Sequence, residues 1–341
     1  MSKLVCISGG AGFVAHHVID YLLGATDWEF ITLDRLDFSG NLNRLADVVH
    51  GRPNETQQRV RTIFHDLKAP ISELNANFIG KPDIILHLAA ASHVDRSISH
   101  PMEFVYDNVI GTAHILEYAR TLPNLECFWY FGTDEVFGPA PPGVNYTERA
   151  RYNSTNVYSA TKAAGEELAV AYRNTYQVPV IISHAMNIFG ERQTPEKFIP
   201  LCIKKVFLDE TVFIHADKSK TKAGSRFYIH AQDVADAMHF ILTENPRSAD
   251  DYGGATCPKF NIVGKEEVDN LTLAKMIAAA QGKELKYEMV DFHTSRPGHD
   301  LRYSLDGGLL KYQGWEPKLS LSTRIKAVSD WYLENKAWLG L

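Results

Sequence analysis

Short apolar, β-branched runs recur along the chain with helical patterns between them. They are "KLVCIS" at 3–8, "EFITLD" at 29–34, "VRTIFH" at 60–65, "DIILHL" at 83–88, "CFWYF" at 127–131 and "VPVIIS" at 178–183. Strand and helix signals that alternate in this way predict a parallel sheet covered by helices on both faces, joined by right-handed crossovers. After about residue 185 the pattern loosens around Pro195, Pro200 and the polar stretch "ADKSKTKAGS". It tightens again at 226–242, "RFYIHAQDVADAMHFIL", which reads as a strand and then an amphipathic helix. The expectation is an α/β chain with a doubly wound parallel sheet and a smaller C-terminal lobe. The larger unit would take residues 1–184 plus about 225–245, and the lobe 185–224 plus 246–341. A cleft between two such units is the usual place for a small molecule.

The first strand runs into "SGGAGFVAHH", which sets Gly9, Gly12 and Ala15 in a G-x-x-G-x-x-A frame at a strand-to-helix turn. Glycine lets the backbone turn tightly and approach a pyrophosphate, whose charge then sits at a helix N-terminus. Asp34 closes the next strand, at the distance where an acid binds a ribose diol. A carboxylate there repels a 2′-phosphate, so NAD is expected over NADP, with Arg35 read as a solvated arginine. "HDLKA" offers Asp66 and Leu67 to an adenine. The small residues Ala89 to Ala91 suit either helix–sheet packing or a dinucleotide lying close.

Composition narrows the partners. The 341 residues carry a formal charge of -6, so there is no basic field for nucleic acid or an anionic membrane. An anionic substrate would need local donors. Cys6, Cys127, Cys202 and Cys257 form no C-x-x-C pair, and no histidine pair has helical ligand spacing with a third acid nearby. No metal is expected. With no long apolar run, the chain reads as cytoplasmic.

Two further patterns carry chemistry. Residues 131–138, "FGTDEVFG", put Thr133, Asp134 and Glu135 in a row after an apolar strand. Alone they would be a solvated turn. "YSATK" puts Tyr158 and Lys162 one helical turn apart on one face. A phenol with pKa near ~10 is a poor base at neutral pH, and lowering it by about 3 units needs roughly 4 kcal/mol of differential stabilisation. An ammonium together with a cationic nicotinamide could supply that.

With "GGAGF", "LDRLDFSGNLNRL", "HLAAASHVDRSI", "TDEVFG", "YSATKAAGEEL", "TPEKFIP" and "RPGHDLRYSLD", the chain resembles an extended short-chain dehydrogenase/reductase, and within that group the nucleotide-sugar 4,6-dehydratases. The resemblance implies a Rossmann domain, NAD, a nucleotide-sugar substrate and a homodimer. Its catalytic set would be Thr133, Asp134, Glu135, Tyr158 and Lys162. Tyr158 would take the carbon 4 hydroxyl proton as hydride leaves for NAD, with Thr133 bonding the same oxygen. Glu135 would take the carbon 5 proton while protonated Asp134 expels the carbon 6 hydroxyl as water, each acid pointing to its own side of a strand end.

Cofactor contacts would come from Gly9, Gly12, Phe13, Val14, Asp34, Asn41, Asp66, Leu67, Leu88, Ala89, Ala90, Tyr158 and Lys162. Substrate contacts would come from Ser92, Asn187, Glu196, Lys197, Phe198, Arg226, Asn261, Arg296 and His299. The sequence leaves the family's pattern at Ala15, Ala91, Gly132 and His184. It does so again in "TVFIHADKSKTKAGSR", where Phe213 and His215 stand near the expected base, thymine or uracil. The alternatives are a nucleotide-sugar 4-epimerase, which needs no acid pair at 134–135, and a non-catalytic NAD-sensing scaffold.

Overall fold

The computed structural model describes residues 2–244, 257–291 and 301–341. Thirteen strands lie among the described residues: β1 (Leu4–Ser8), β2 (Glu29–Asp34), β3 (Val60–Phe64), β4 (Ile84–His87), β5 (Cys127–Thr133), β6 (Val180–Ala185), β7 (Ile188–Phe189), β8 (Val212–Ala216), β9 (Ser225–Phe227), β10 (Ile229–His230), β11 (Lys259–Ile262), β12 (Glu267–Asp269) and β13 (Tyr287–Asp291). Seven of them form one sheet in the order β11-β6-β5-β4-β1-β2-β3, and every pairing in it is parallel. The seventh strand is a correction. Lys259–Ile262, expected in the smaller lobe, lies alongside β6 with Asn261 opposite His184.

The apolar runs are continuous because both faces of the sheet are covered. Val5, Ile7, Phe30 and Trp129 face one layer with the helices Phe13–Ala25 and Ala231–Glu244. Cys6, Ile31, Leu33, Phe128 and Tyr130 face the other with the helices Gly111–Ala119 and Val157–Tyr176. Successive strand residues alternate between the two covered layers, so even the polar residues the strands carry, among them Ser8, Thr32, His87 and Ser183, are buried. β3 is the exception at the sheet edge, where Phe64 is exposed. A third core, containing Cys202, Ile214, Ile277 and Val328, joins β8 to the helices Phe198–Phe207, Asn270–Ala280 and Leu321–Glu334.

The topology fixes where a ligand can go. β1 is followed in space by β2 on one side and β4 on the other, so the crossovers diverge there and leave a crevice at the strands' C-terminal ends. No described helix is long and apolar enough to cross a membrane.

Candidate active site

At the crevice, Gly9 has φ 72° and donates its N–H to Leu33 O at 2.7 Å. A Cβ on Gly9 would stand 2.8 Å from Ala89 Cα, so only glycine lets β1's exit approach the segment after β4. Gly12 then opens the helix Phe13–Ala25 with no side-chain cap, leaving that helix's first N–H groups to an anion. Phe13 and Val14, its first two residues, are half-buried.

Asp34 ends β2 almost buried. Its Oδ2 accepts the Ala11 N–H at 3.0 Å and its Oδ1 the Leu36 N–H at 2.8 Å. The carboxylate is thus fixed, with acceptor capacity left for a diol. Arg35 is not a solvated arginine. Its guanidinium donates to Asp37 at 2.8 Å and bidentately to Asp107 at 2.6 and 2.8 Å, and lies 3.7 Å from Asp66. Those carboxylates raise its pKa, led by Asp107, and occupy the fork that a 2′-phosphate would need. The cradle and its acid fit NAD.

The other cofactor candidates line the same end of the sheet. Asn41 caps the helix Leu42–Val49 through its side-chain oxygen, and its N–H bonds Ala11 O. Asp66 accepts the Lys68 N–H, and buried Leu67 gives its carbonyl to His114. The Leu88 N–H reaches Ser8 O and the Ala89 N–H reaches Ser8 Oγ. Ala89 and Ala90 are half-buried, as is Ala91.

The acid pair departs from the expected geometry. β5 stops at Thr133, and Asp134–Phe137 form a 3-10 turn rather than a strand end. Thr133 causes the switch: its hydroxyl accepts the Glu135 N–H at 3.4 Å, as a capping residue does, and donates to Asp134 Oδ1 at 3.1 Å. Successive side chains on such a turn diverge by about 120° instead of alternating across a sheet. The two acids therefore present different faces to one space. Asp134 is buried, which excludes a solvated turn. Burial, and then the charge of Glu135, push its carboxyl up to about 7, against the pull of Arg226. Glu135 is half-buried and accepts from Asn156 Nδ2 at 3.0 Å.

Asn156 went unread in the sequence. Its Oδ1 also caps the helix Val157–Tyr176, in a capping box with Ser159, so one amide ties Glu135 to the helix bearing Tyr158 and Lys162. A polar cap just before "YSATK" was the available signal. Asn108 was missed too. It sits buried in a π-turn, Tyr106–Ile110, and grips Ala91 through N–H···O contacts in both directions and Thr161 Oγ1 at 3.0 Å. Its signal was an asparagine amid helical apolar positions.

Tyr158 is buried beside Thr133, and burial, followed by the charge of Glu135, pushes the phenol upward. Lys162 is buried as well. Its Nζ donates to Phe131 O at 2.8 Å and lies 4.4 Å over the Tyr130 ring. Burial pulls Lys162 down to about 8, and Glu166 opposes that.

On the substrate side, Arg226 of β9 bonds the carbonyls of Ser225 and Leu301 and packs 4.7 Å over the Tyr303 ring. Its effect on Asp134 puts the guanidinium within electrostatic reach of the acid. Asn187 holds a left-handed backbone, φ 42°. Ser92 is exposed, as is Glu196, whose carboxylate is 3.5 Å from Arg96 and 3.8 Å from His93. Lys197 precedes the helix Phe198–Phe207, and Phe198 begins it half-buried. Phe213 and His215 share the outer face of β8, where Lys205 lies over the Phe213 ring at 5.4 Å.

Asn261 is a correction. It is fully buried, and its amide contacts His184, Tyr146 O and Asp306 O, so it holds the protein together instead of meeting substrate. Arg296 and His299 lie outside the described residues. Among the described residues no group of three or more His, Cys, Asp or Glu side chains could hold a metal ion.

The profile of the NAD dependent epimerase/dehydratase family matches residues 5–253. A dTDP-glucose 4,6-dehydratase of Escherichia coli is 30% identical, the alignment covering 98% of this chain and 94% of that protein. Among solved structures, DesIV, a dTDP-glucose 4,6-dehydratase from Streptomyces venezuelae with NAD and TYD bound, superposes with a TM-score of 0.83 at 31% identity over 98% of both chains. A Thermus thermophilus UDP-glucose 4-epimerase in complex with NAD reaches a TM-score of 0.82 at 24% identity, covering 96% of this chain and 98% of its own. That last likeness speaks to the fold alone.

Proposed function

As the chain belongs to the NAD dependent epimerase/dehydratase family, we propose that it is a cytoplasmic nucleotide-hexose 4,6-dehydratase of deoxysugar formation, acting on a dTDP- or UDP-glucose type substrate. The single observation that carries this reading is Asp134, a buried carboxyl poised near neutral pH beside a second carboxylate, Glu135. A 4-epimerase only lifts and returns one hydride and has no use for that pair. A sensor has no use for a poised acid.

Bound NAD supplies the hydride acceptor for carbon 4 and the donor for carbon 6. Tyr158 accepts the proton of the carbon 4 hydroxyl, and Thr133 bonds the same oxygen. Burial, Glu135 and Asp134 all disfavour the phenolate, so the compensating positive charge is that of the nicotinamide together with Lys162. The carbon 4 ketone acidifies carbon 5. Glu135, oriented by Asn156, removes that proton, and Asp134 delivers its own to the carbon 6 hydroxyl, which leaves as water. Two adjacent carboxyls can divide these tasks because their surroundings differ. Arg226 would meet the diphosphate, for which a planar fork is suited.

A homodimer belongs to the same proposal. Ile98, Met102, Tyr106 and Ile110 are exposed at intervals of four on the run 94–119. Ala160, Ala164 and Ala171 form a small-residue stripe on the exposed side of Val157–Tyr176. A partner packed there would cover both, and sedimentation at micromolar concentration tests it. For the reaction, mass analysis of the product decides: loss of water to a 4-keto-6-deoxy sugar is expected, and a product of unchanged mass would point to the epimerase.

A further inference from the structure

Behind the acid turn lies a buried polar cluster that the reaction above does not use. Glu166, one turn beyond Lys162 on the same helix, is fully buried. Its Oε1 meets Lys259 Nζ at 2.9 Å and the Tyr152 hydroxyl, and its Oε2 meets His184 Nε2 at 2.9 Å. His184, also fully buried, points its Nδ1 at Asn261 Oδ1, 3.2 Å away. The orientation of that amide is fixed, because Asn261 Nδ2 donates to two carbonyls, Tyr146 O at 3.0 Å and Asp306 O at 3.1 Å. A flipped amide would set oxygen against oxygen. Asn261 Oδ1 carries no hydrogen, so His184 Nδ1 must. With a carboxylate at Nε2, both ring nitrogens are donors.

The cluster touches the catalytic elements from two sides. The His184 ring meets Phe137, the last residue of the acid turn, edge to face at 4.9 Å. A Cβ at position 132, just before Thr133, would lie 3.0 Å from His184 Cδ2 and 2.8 Å from Ser183 O. Gly132 and His184, two of the departures from the family's pattern, thus lie in contact: the missing Cβ leaves room for the Ser183 carbonyl and for the imidazole. On the helix side Glu166 supports the charge of Lys162.

We propose that His184 and Glu166 are a positioning pair, an imidazolium–carboxylate contact that fixes the acid-bearing turn from behind and sets the field felt by Lys162. Burial opposes ionisation of Glu166, yet His184 and Lys259 together hold it down at about 2. Among the described residues, Tyr152, Tyr130 and Glu148 are further titratable groups around the pair, with Glu167 and Cys257 acting on its Lys259 side. The effect on Lys162 rests on the dehydratase reading, whereas the protonation of His184 does not.

Two measurements test the proposal. In the ¹⁵N-histidine-labelled protein at neutral pH, assigned by comparison with His184→Arg, the His184 ring should show two protonated nitrogens, and Glu166→Gln should remove one. A ring with a single N–H in the wild-type protein overturns the proposal, whatever the reaction proves to be. In single-turnover formation of reduced cofactor, Glu166→Gln should move the alkaline limb to lower pH, because Lys162 loses its support. His184→Asn should move it to higher pH, because Glu166 loses a counter-charge, and His184→Arg should restore the wild-type position. Displacement of the limb in the same direction by Glu166→Gln and His184→Asn would reduce the pair to a structural contact and overturn the proposal.

Discussion

Asp34 and Asp134 stand at the same end of one sheet, each directly at or after a strand terminus and each almost buried. Their surroundings give them opposite chemistry. Asp34 receives two backbone N–H groups, one from the glycine turn and one from its own loop. Asp134 receives one hydroxyl and faces a second carboxylate, and its proton is held up to about pH 7. Equal burial therefore accompanies a carboxylate fixed as an acceptor in one place and a raised carboxyl in the other, where a second carboxylate, Glu135, adds to burial. In the proposed function the first would meet a diol and the second would give up its proton.

The largest expected effect is on the acid side. Glu135→Gln and Asp134→Asn should each lower turnover by about 10²–10⁴-fold, the range for removing a general base or acid. Glu135→Gln should spare the first hydride transfer, so the absorbance of reduced cofactor builds up in a single turnover. Tyr158→Phe should form little of it. Wild-type turnover in Glu135→Gln would return the triplet to a turn with no chemical task.

On the other side of the comparison, Asp34→Ala removes the acceptor and should weaken NAD binding by about 10–100-fold in a titration, as expected for hydrogen bonds to a charged group. A smaller, sign-defined effect on stability is expected at Asp134. The folded-state pKa of Asp134 is raised, so the native state binds a proton that the unfolded chain has released, and the wild type loses stability as pH rises from the ordinary carboxyl range to about 7. Asp134→Asn should then melt a few degrees higher than wild type above pH 7, with the gain vanishing in acid. Smallest of all, Arg35→Ala should leave the preference for NAD over NADP within about threefold, because that guanidinium already belongs to Asp37 and Asp107.

The same two sites mark how far the sequence could be read. The cofactor side was legible because its chemistry lies in local backbone demands: a glycine at φ 72°, a helix start, and an acid at the end of the next strand all leave marks at fixed spacing. The acid pair was legible as residues but not as geometry. Whether Thr133 continues β5 or caps a 3-10 turn depends on a hydroxyl choosing the Glu135 N–H, and either choice fits the same letters. Asn156, Asn108 and Asn261 were missed or misplaced for a related reason. An amide serves as cap, brace or ligand contact according to what tertiary packing sets opposite it, and in Asn261 that is β6 and two carbonyls, those of Tyr146 and Asp306. Lys259–Ile262 joined the main sheet because β6 still had an open edge, a long-range pairing that a four-residue run cannot announce.

The most direct test of the acid pair is isotopic. In deuterated water, a carbon 5 proton removed by a carboxylate open to exchange and replaced from solvent leaves deuterium at carbon 5 of the 4-keto-6-deoxy product. Hydrogen labelled at carbon 4 of the substrate should arrive at carbon 6 within one active site. Both labels in those places are what Asp134 and Glu135 predict together. A product without solvent deuterium at carbon 5, with the carbon 4 label still on carbon 4, would contradict the dehydratase account.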